Sequence, residues 1–445
     1  MRKLLTVLGF VASLTLAPVD AAVRPPRLEY ELMTLQNGLT VVLSPDRSTP
    51  IVHVELWYHV GSKDEKPGRT GFAHLFEHMM FKGSKNVEPE EHASMLSSIG
   101  GQSNAFTNDD ATVFWQTLPS QYLPLALWME ADRMATLRID EATFKNEREV
   151  VKEERRLRVD NQPFGRLSEI LYDTFYTVSP YKHTTIGSMK DLDAASVEDV
   201  RDFHKSFYIP GNATIAIVGD FEMAQAKELV TKYFERVPKS QRVIPREYPR
   251  EKPSTAERRV TVNENWPLPA VIVAYPITYD GHPDSYPLHL TSKILSDGDS
   301  SRIYKSLVYE KQIALSAFGG GNIIEEPNLF FAVALVAPGR SHDEVEKALI
   351  AEFDKLRTEP IGERELQRAK NQFFRDYIVD RETIRGKAGQ LAHAVVIHGD
   401  VTTADGEVEV FTNMKVSDLQ RVAKTYFTPE NRLVLKILPK GTGSR

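Results

Sequence analysis

The five residues His74-Leu75-Phe76-Glu77-His78 have the types and the spacing needed to bind a metal ion. In an α-helix, residues i and i+4 lie on the same face, about one turn apart, so the imidazoles of His74 and His78 can reach one ion. Glu77 would then lie beside a water molecule held at that ion. Zinc hydrolases usually offer three protein ligands and leave the fourth position to water. The motif therefore predicts hydrolysis by a metal-activated water, with a third ligand elsewhere in the chain.

A helix predicted further along the chain offers that third ligand. We expect this helix to run from about 141 to 157, because Asp140 is a favourable N-cap. Glu147 and Glu154 are seven residues apart, or two helical turns, and share one face. Spacing alone leaves Glu153 open beside Glu154 as the ligand. Because the chain has no cysteine, thiolate ligands are excluded.

Composition and the first residues indicate an exported globular protein. The 445 residues are 41% hydrophobic and 26% charged, which is typical of a folded protein with more than one core. A net charge of -6 gives no electrostatic reason to expect nucleic acid. A basic start, an apolar run over 4–16 and a small-residue pattern at 19–21 predict a signal peptide over 1–21. With no later stretch long enough to span a bilayer, we expect a soluble periplasmic protein.

The chain is predicted to contain two related halves. A stretch rich in Pro, Arg, Lys and Glu, without a sustained apolar period, places a linker at 241–257. Phe318-Gly319-Gly320 in the second half is similar to Ile99-Gly100-Gly101 in the first, which indicates a diverged duplication. We therefore expect an N-terminal zinc-binding domain over 22–240 and a C-terminal domain without zinc ligands over 258–445.

Two segments carry a resemblance to a known family. The first, from Gly71 to Ser84, contains the motif in the order His-x-x-Glu-His, which inverts the familiar His-Glu-x-x-His order. The second, from Glu147 to Glu154, is similar to the pattern Glu-Arg-x-Val-x-x-x-Glu. The sequence resembles the pitrilysin/insulinase family of inverzincin zinc metallopeptidases. Within it, the chain is most similar to the short two-domain branch of mitochondrial processing peptidase and bacterial periplasmic zinc proteases.

This resemblance implies an α+β fold of two homologous domains, each a mainly antiparallel β-sheet flanked by helices. It implies one Zn²⁺ per chain, held by His74, His78 and Glu154, with Glu147 as a supporting carboxylate. The implied function is a zinc-dependent endopeptidase that hydrolyses peptides or unfolded segments by a zinc-bound water, which Glu77 activates. The alternative is a non-catalytic structural or assembly subunit of the same fold.

The resemblance also implies how a substrate would be held. Asn104-Ala105-Phe106 is similar to the edge strand on which the family lays its peptide, and Arg302 matches an arginine that helps hold the substrate carbonyl. Leu315 stands where a tyrosine is typical, and a leucine cannot donate a hydrogen bond to an oxyanion. The resemblance thus implies a dimer, either of two copies of this chain or with a paralogous subunit that supplies Arg and Tyr.

Overall fold

A computed structural model describes residues 26–441 as two β-sheets flanked by helices. The predicted signal peptide over 1–21 lies outside the described residues. The first sheet is formed by six strands: β1 (Glu31–Thr34), β2 (Thr40–Pro45), β3 (Ile51–Tyr58), β4 (Gln102–Thr107), β5 (Thr112–Pro119) and β6 (Ala213–Gly219). The second sheet is formed by five: β7 (Arg258–Glu264), β8 (Ala270–Pro276), β9 (Ala314–Gly321), β10 (Leu329–Val336) and β11 (Leu433–Pro439).

The helices fall into two groups along the chain. Those before β7 are α1 (Phe72–Met79), α2 (Glu91–Ser98), α3 (Leu123–Thr136), α4 (Glu141–Arg155), α5 (Leu167–Phe175), α6 (Met189–Ala194), α7 (Val197–Phe207) and α8 (Met223–Phe234). Those after β7 are α9 (Ser285–Leu295), α10 (His342–Thr358), α11 (Glu363–Arg381), α12 (Ile384–Val396), α13 (Thr403–Asn413) and α14 (Val416–Tyr426). Among the residues that the structure describes, no helix combines the length and the apolar character needed to cross a bilayer.

The two sheets repeat one topology. The first has the order β1-β2-β6-β3-β5-β4 and the second has the order β7-β11-β8-β10-β9. Five strands of the first sheet, β2-β6-β3-β5-β4, correspond in order to the five strands of the second. Each sheet has one parallel pair, β2 with β6 and β7 with β11, and the remaining neighbours among these strands are antiparallel. The predicted fold, two homologous and mainly antiparallel units flanked by helices, is confirmed.

Each sheet is buried on both faces, which explains the apolar strands at its centre. All seven residues of β6 are buried, as expected for a strand that packs against helices on both sides. One face of the first sheet packs on helices of its own half, including α1, α3 and α8. The other face packs on α12 from the second half of the chain, through residues such as Ile384, Ala388 and Leu391.

The second sheet packs against a helix from the first half of the chain. Ile170, Leu171 and Phe175 of α5, in the first half, pack on the apolar residues of β8, β10 and β11. Each half thus packs one of its helices on the sheet of the other half, an exchange that the sequence does not predict. The described chain between α8 and β7 has no helix or strand. The predicted linker at 241–257 and the domain boundaries at 240 and 258 stay predictions.

A buried polar network also joins the halves. The Lys63 ammonium is fully buried, lies 2.9 Å from Asp110 Oδ1 and pairs with the Glu325 carboxylate. The Tyr181 hydroxyl donates to Asp110 Oδ1 at 2.5 Å, and His59 Nε2 lies 2.6 Å from Glu325 Oε2. Glu325 comes from the segment between β9 and β10, so one cation of the first half neutralises carboxylates from both halves.

Candidate metal centre and peptide-binding edge

The start of α1 is held in place by a glycine and a buried carboxylate. Gly71 precedes the helix with φ at 91°, and a Cβ there would lie 2.8 Å from the Ile186 carbonyl oxygen. A glycine is therefore required at this position. The fully buried Glu65 side chain accepts hydrogen bonds from the N–H groups of Gly71 and Ala73, at 2.8 and 2.7 Å. These contacts satisfy N–H groups that a helix start leaves free and fix the direction of α1.

The three polar residues of the motif share one side of α1, since the apolar residues Phe72, Leu75 and Phe76 are buried in the core of the first half. His74 Nε2 lies 3.6 Å from Glu154 Oε2, and His78 Nε2 lies 3.3 Å from the same oxygen. Two ligands about 2.0–2.1 Å from one tetrahedral ion stand roughly 3.3 Å apart. The three groups therefore fit one zinc ion in both chemistry and spacing.

The packing of α4 distinguishes the two glutamates that spacing left open. Asp140 caps this helix by accepting from the Thr143 N–H at 2.9 Å, as predicted. Glu154 faces the two imidazoles, whereas the Glu153 side chain is 56% exposed and pairs with Arg156 at 2.7 Å. Among the described residues, Glu154 is thus the carboxylate that lies beside the two imidazoles, and its role as a zinc ligand stays a prediction.

Glu147 lies behind the cluster and next to the second nitrogen of His78. Its buried carboxylate lies 3.7 Å from His78 Nδ1 and 3.3 Å from Lys82 Nζ, and it accepts from Asn146 at 2.9 Å. Although burial opposes its ionisation, His78 and Lys82 hold the pKa of Glu147 below its ordinary value. An ionised Glu147 can therefore orient the His78 ring so that Nε2 faces the cluster.

Glu77 is held by the strand next to α1. The Thr107 hydroxyl, at the end of β4, donates to Glu77 Oε2 at 2.5 Å. Burial raises the pKa of Glu77, against the lowering effect of this hydrogen bond. A carboxylate with a raised pKa is a better proton acceptor than an exposed one.

The electrostatics of the cluster suit a cation. Burial lowers the pKa of His74 to about 4, so its ring is neutral at pH 7. Burial would also lower the pKa of His78, but Glu147 and Glu154 raise it to about 9. The carboxylates therefore create a negative potential at His78, which favours the positive charge that a divalent ion brings.

The cluster opens into a cavity of about 480 Å³ that is also lined by β4, including Asn104, Ala105 and Phe106. β4 is the last strand of the first sheet and pairs only with β5 among the described strands. Its outer edge can accept an extended chain, and the Ala105 N–H donates at 2.9 Å to the Asn104 side chain. The three residues predicted to bind substrate thus lie at the same cavity as the metal cluster.

Two protein-family models match successive parts of the chain. The family model described as "Insulinase (Peptidase family M16)" matches residues 40–188, which include the whole metal cluster. A second model, "Peptidase M16 inactive domain", matches residues 194–373. The chain belongs to peptidase family M16. The predicted family resemblance is confirmed.

Several M16 relatives cover nearly the full chain. The "Zinc protease PqqE" of Helicobacter pylori is 33% identical, over 90% of this chain and 90% of that protein. The "Probable mitochondrial-processing peptidase subunit beta, mitochondrial" of Arabidopsis thaliana is 24% identical, over 92% of this chain and 78% of that protein. Both names describe peptidases or their subunits, and the name of the Helicobacter pylori relative includes zinc.

Solved structures share the fold. The crystal structure of a protease from Helicobacter pylori has a TM-score of 0.89 and 32% identity, and covers 93% of this chain and 100% of that one. The first half of the periplasmic protease PqqL from Escherichia coli has a TM-score of 0.75 and 18% identity, over 94% of this chain and 93% of that one. The second likeness shows the fold alone.

Arg302 and Leu315, which the resemblance associates with substrate binding, do not line the cavity of the M16 metal cluster. Arg302 does not line the cavity, and its guanidinium donates two hydrogen bonds to the Glu365 carboxylate, at 2.9 and 2.7 Å. Leu315 lies on β9, the end strand of the second sheet, and its side chain is 55% exposed. The structure therefore does not bring Arg302 to the site within this chain, and its role in substrate binding stays a prediction.

Three residues at the M16 site were not predicted from the sequence. Thr107 contacts Glu77, Lys82 contacts Glu147, and Glu65 caps α1. Thr107 is the last residue of the edge strand that the resemblance associates with the substrate, but no pattern in the sequence indicates its contact with Glu77. Lys82 lies beyond the end of α1 at Met79, so helical spacing does not indicate its contact with Glu147. Glu65 lies in a loop, and no periodic pattern indicates its contact with the helix.

Proposed function

We propose that this M16 chain is a zinc-dependent endopeptidase that hydrolyses peptides or unfolded segments. The observation that carries the proposal is the convergence of His74, His78 and Glu154 beside Glu77, in a cavity that also exposes the edge of β4. The relatives named zinc proteases support the same class of reaction.

His74, His78 and Glu154 would hold one zinc ion, because two imidazoles and one carboxylate are a ligand set found in zinc hydrolases. When bound, zinc supplies Lewis acidity, which makes a water molecule more acidic and polarises a peptide carbonyl. Glu147 acts from behind the cluster: its contact with His78 Nδ1 keeps Nε2 of the same ring facing the cavity.

Glu77 moves the proton in this proposal. Its carboxylate accepts a proton from the attacking water and passes it to the leaving amine of the cleaved peptide bond. The Thr107 hydroxyl holds one carboxylate oxygen of Glu77, and burial raises the pKa of this residue, so that it accepts a proton readily. Because Thr107 ends β4, the base is positioned by the same strand that would bind the substrate.

The substrate would bind as an added strand along β4. An extended peptide can pair its backbone with a free strand edge with little demand on its sequence. Asn104, Ala105 and Phe106 would contact it, and the Asn104 side chain would release the Ala105 N–H for the substrate. The extended binding mode favours unfolded segments over folded proteins, since a folded protein offers few free strands.

We propose a periplasmic location, based on the predicted signal peptide over 1–21. Removal of residues before about 22 in the exported protein would support this location, and N-terminal sequencing measures it.

We also propose that the zinc-binding domain covers 22–240 and that the second domain covers 258–445.

The chain purified with its metal is expected to contain zinc and to cleave a mixed pool of unfolded peptides. Chelation should abolish cleavage, and stoichiometric zinc should restore it, because chelation removes the ion and leaves the three side chains of the cluster in place. Metal analysis and mass spectrometry of the peptide pool measure both results. A protein that is folded but lacks zinc and cleaves nothing would contradict the proposal and favour the structural-subunit alternative.

We further propose that the active species is a dimer, in which a second chain completes substrate binding. Arg302 is bound to Glu365 and does not line the cavity, and Leu315 stands where the family resemblance predicts a tyrosine, so the two donors that the resemblance predicts are not at the site of this chain. Activity per zinc site is expected to rise when the chain is co-expressed with a paralogue that has both Arg and Tyr. Full activity from a monomer, measured by gel filtration and peptide cleavage, would contradict this.

A further inference from the structure

A second cluster of potential metal ligands lies outside the peptidase site. Asp280 follows β8, His393 lies in the last turn of α12, and His398 follows this helix. One side-chain ligand atom from each lies within 4.8 Å of the other two. We propose that these residues bind a second divalent transition-metal ion, of the zinc class, at the contact between the two halves of the chain.

The distances in this cluster match those of a tetrahedral ion. Asp280 Oδ2 lies 3.4 Å from His393 Nε2 and 3.2 Å from His398 Nε2. Ligands about 2.0–2.1 Å from one tetrahedral ion stand roughly 3.3 Å apart, so the spacing equals that of the peptidase cluster. The other carboxylate oxygen, Oδ1, accepts from the Gly281 N–H at 2.9 Å, which fixes the direction of Oδ2.

The hydrogen bonds around His398 leave Nε2 free to bind a cation. The Thr403 hydroxyl donates its hydrogen to the Asp400 carbonyl at 2.8 Å, so it accepts from His398 Nδ1 at 2.9 Å. With the proton on Nδ1, the Nε2 lone pair of the neutral ring points towards the Asp280 carboxylate. The His398 side chain is only 7% exposed, and its buried Nε2 makes no hydrogen bond with any described residue. Two facing lone pairs repel each other, so a positive charge between them is favoured, either a proton on His398 or a metal ion. A metal ion would also bind His393, whose Nε2 lies 3.4 Å from the same carboxylate oxygen.

The surroundings leave space for a further ligand. His393 and His398 line a cavity of about 540 Å³, and the His393 side chain is 42% exposed to it. Water can therefore complete the coordination of an ion held by three protein groups. The site is also at the C-terminal end of α12, where the helix dipole favours positive charge.

The ligand types select the class of metal. Two imidazoles and one carboxylate suit zinc and similar transition metals, such as cobalt and nickel, whereas calcium and magnesium prefer oxygen ligands. The Thr403 contact to His398 Nδ1 is the outer hydrogen bond that ligating histidines usually make.

The position of the cluster indicates a stabilising role. α12 packs on the first sheet through Ala388, Leu391 and Ala392, whereas Asp280 belongs to the loop after β8 of the second sheet. An ion bound to both would cross-link the exchanged helix to the second half. The proposed site is separate from the peptidase site and would bring the total of the chain to two metal ions.

Zinc content of variants tests this second site. The His74→Ala/His78→Ala variant, which loses two ligands of the peptidase site, is expected to retain about one zinc per chain. Adding His393→Ala and His398→Ala should reduce this to zero, as measured by metal analysis after gel filtration in a zinc-containing buffer. A His74→Ala/His78→Ala variant that is folded but contains no zinc would overturn the second site. The difference in zinc content between the parent chain and this variant reports separately on the peptidase site.

Thermal unfolding provides a second measurement if the four-fold variant does not fold. Zinc should raise the unfolding midpoint of the His74→Ala/His78→Ala variant, because an ion that binds only the folded state stabilises it. Asp280→Asn should remove most of this rise, whereas His342→Ala, which removes a histidine outside the cluster, should leave it unchanged. The absence of any rise with zinc, cobalt or nickel would overturn the proposal.

Discussion

Glutamine at position 77 is expected to lower kcat/KM for peptide cleavage by about 10²- to 10⁴-fold, the usual contribution of a general base. The amide has the shape of the carboxylate and can still accept from Thr107, but it cannot accept a proton from water. His74, His78 and Glu154 are unchanged, so the zinc content should equal that of the parent chain. Cleavage of the peptide pool and metal analysis of the same preparation measure the two effects together.

The matched control for Glu77→Gln is Glu153→Gln. Glu153 is also a glutamate near the cluster in sequence, but its side chain is 56% exposed and pairs only with Arg156 among the described residues. This control should cleave at the parent rate, since an exposed ion pair of this kind contributes little. A Glu77→Gln variant with the parent rate and full zinc content would show that Glu77 is not the base.

The local parts of the site could be predicted from the sequence. The i, i+4 spacing of His74 and His78 and the N-cap at Asp140 depend only on helix geometry, and both are found in the structure. Glu153 and Glu154 lie about 100° apart around the helix axis, and spacing alone does not show which of the two positions faces α1. Their exposure depends on how α4 packs against α1, which is a tertiary contact.

Contacts between distant segments account for what the sequence did not show. The exchange of α5 and α12 between the sheets requires that each helix match an apolar surface in the other half, and helix periodicity does not identify that surface. Asp280 and His393 are likewise far apart in the chain and come together only in the tertiary fold. The repeated order of the strands, by contrast, follows from the duplication that the glycine pairs indicated.

Methionine in place of Lys63 is expected to cost about 3–5 kcal/mol of folding stability, the usual effect of removing one partner of a buried ion pair. Methionine preserves the length of the side chain, but it leaves the buried carboxylates of Asp110 and Glu325 without their cation. The midpoint of thermal unfolding should fall accordingly. Lys227→Met is the matched control, because its pair with Glu31 is on the surface and should change stability by less than about 1 kcal/mol.

The same network predicts how stability depends on pH. Burial would raise the pKa of Glu325, but His59 and Lys63 lower it to about 2. Since the pKa of an unfolded glutamate is about 4.3, the ionised Glu325 stabilises the fold fully above that pH, and this stability is lost as the pH falls towards 2. Without Lys63 the pKa of Glu325 should rise, so acid unfolding of Lys63→Met should begin at a higher pH. If Lys63→Met and Lys227→Met unfold at the same temperature and pH, then the buried lysine does not hold the two halves together.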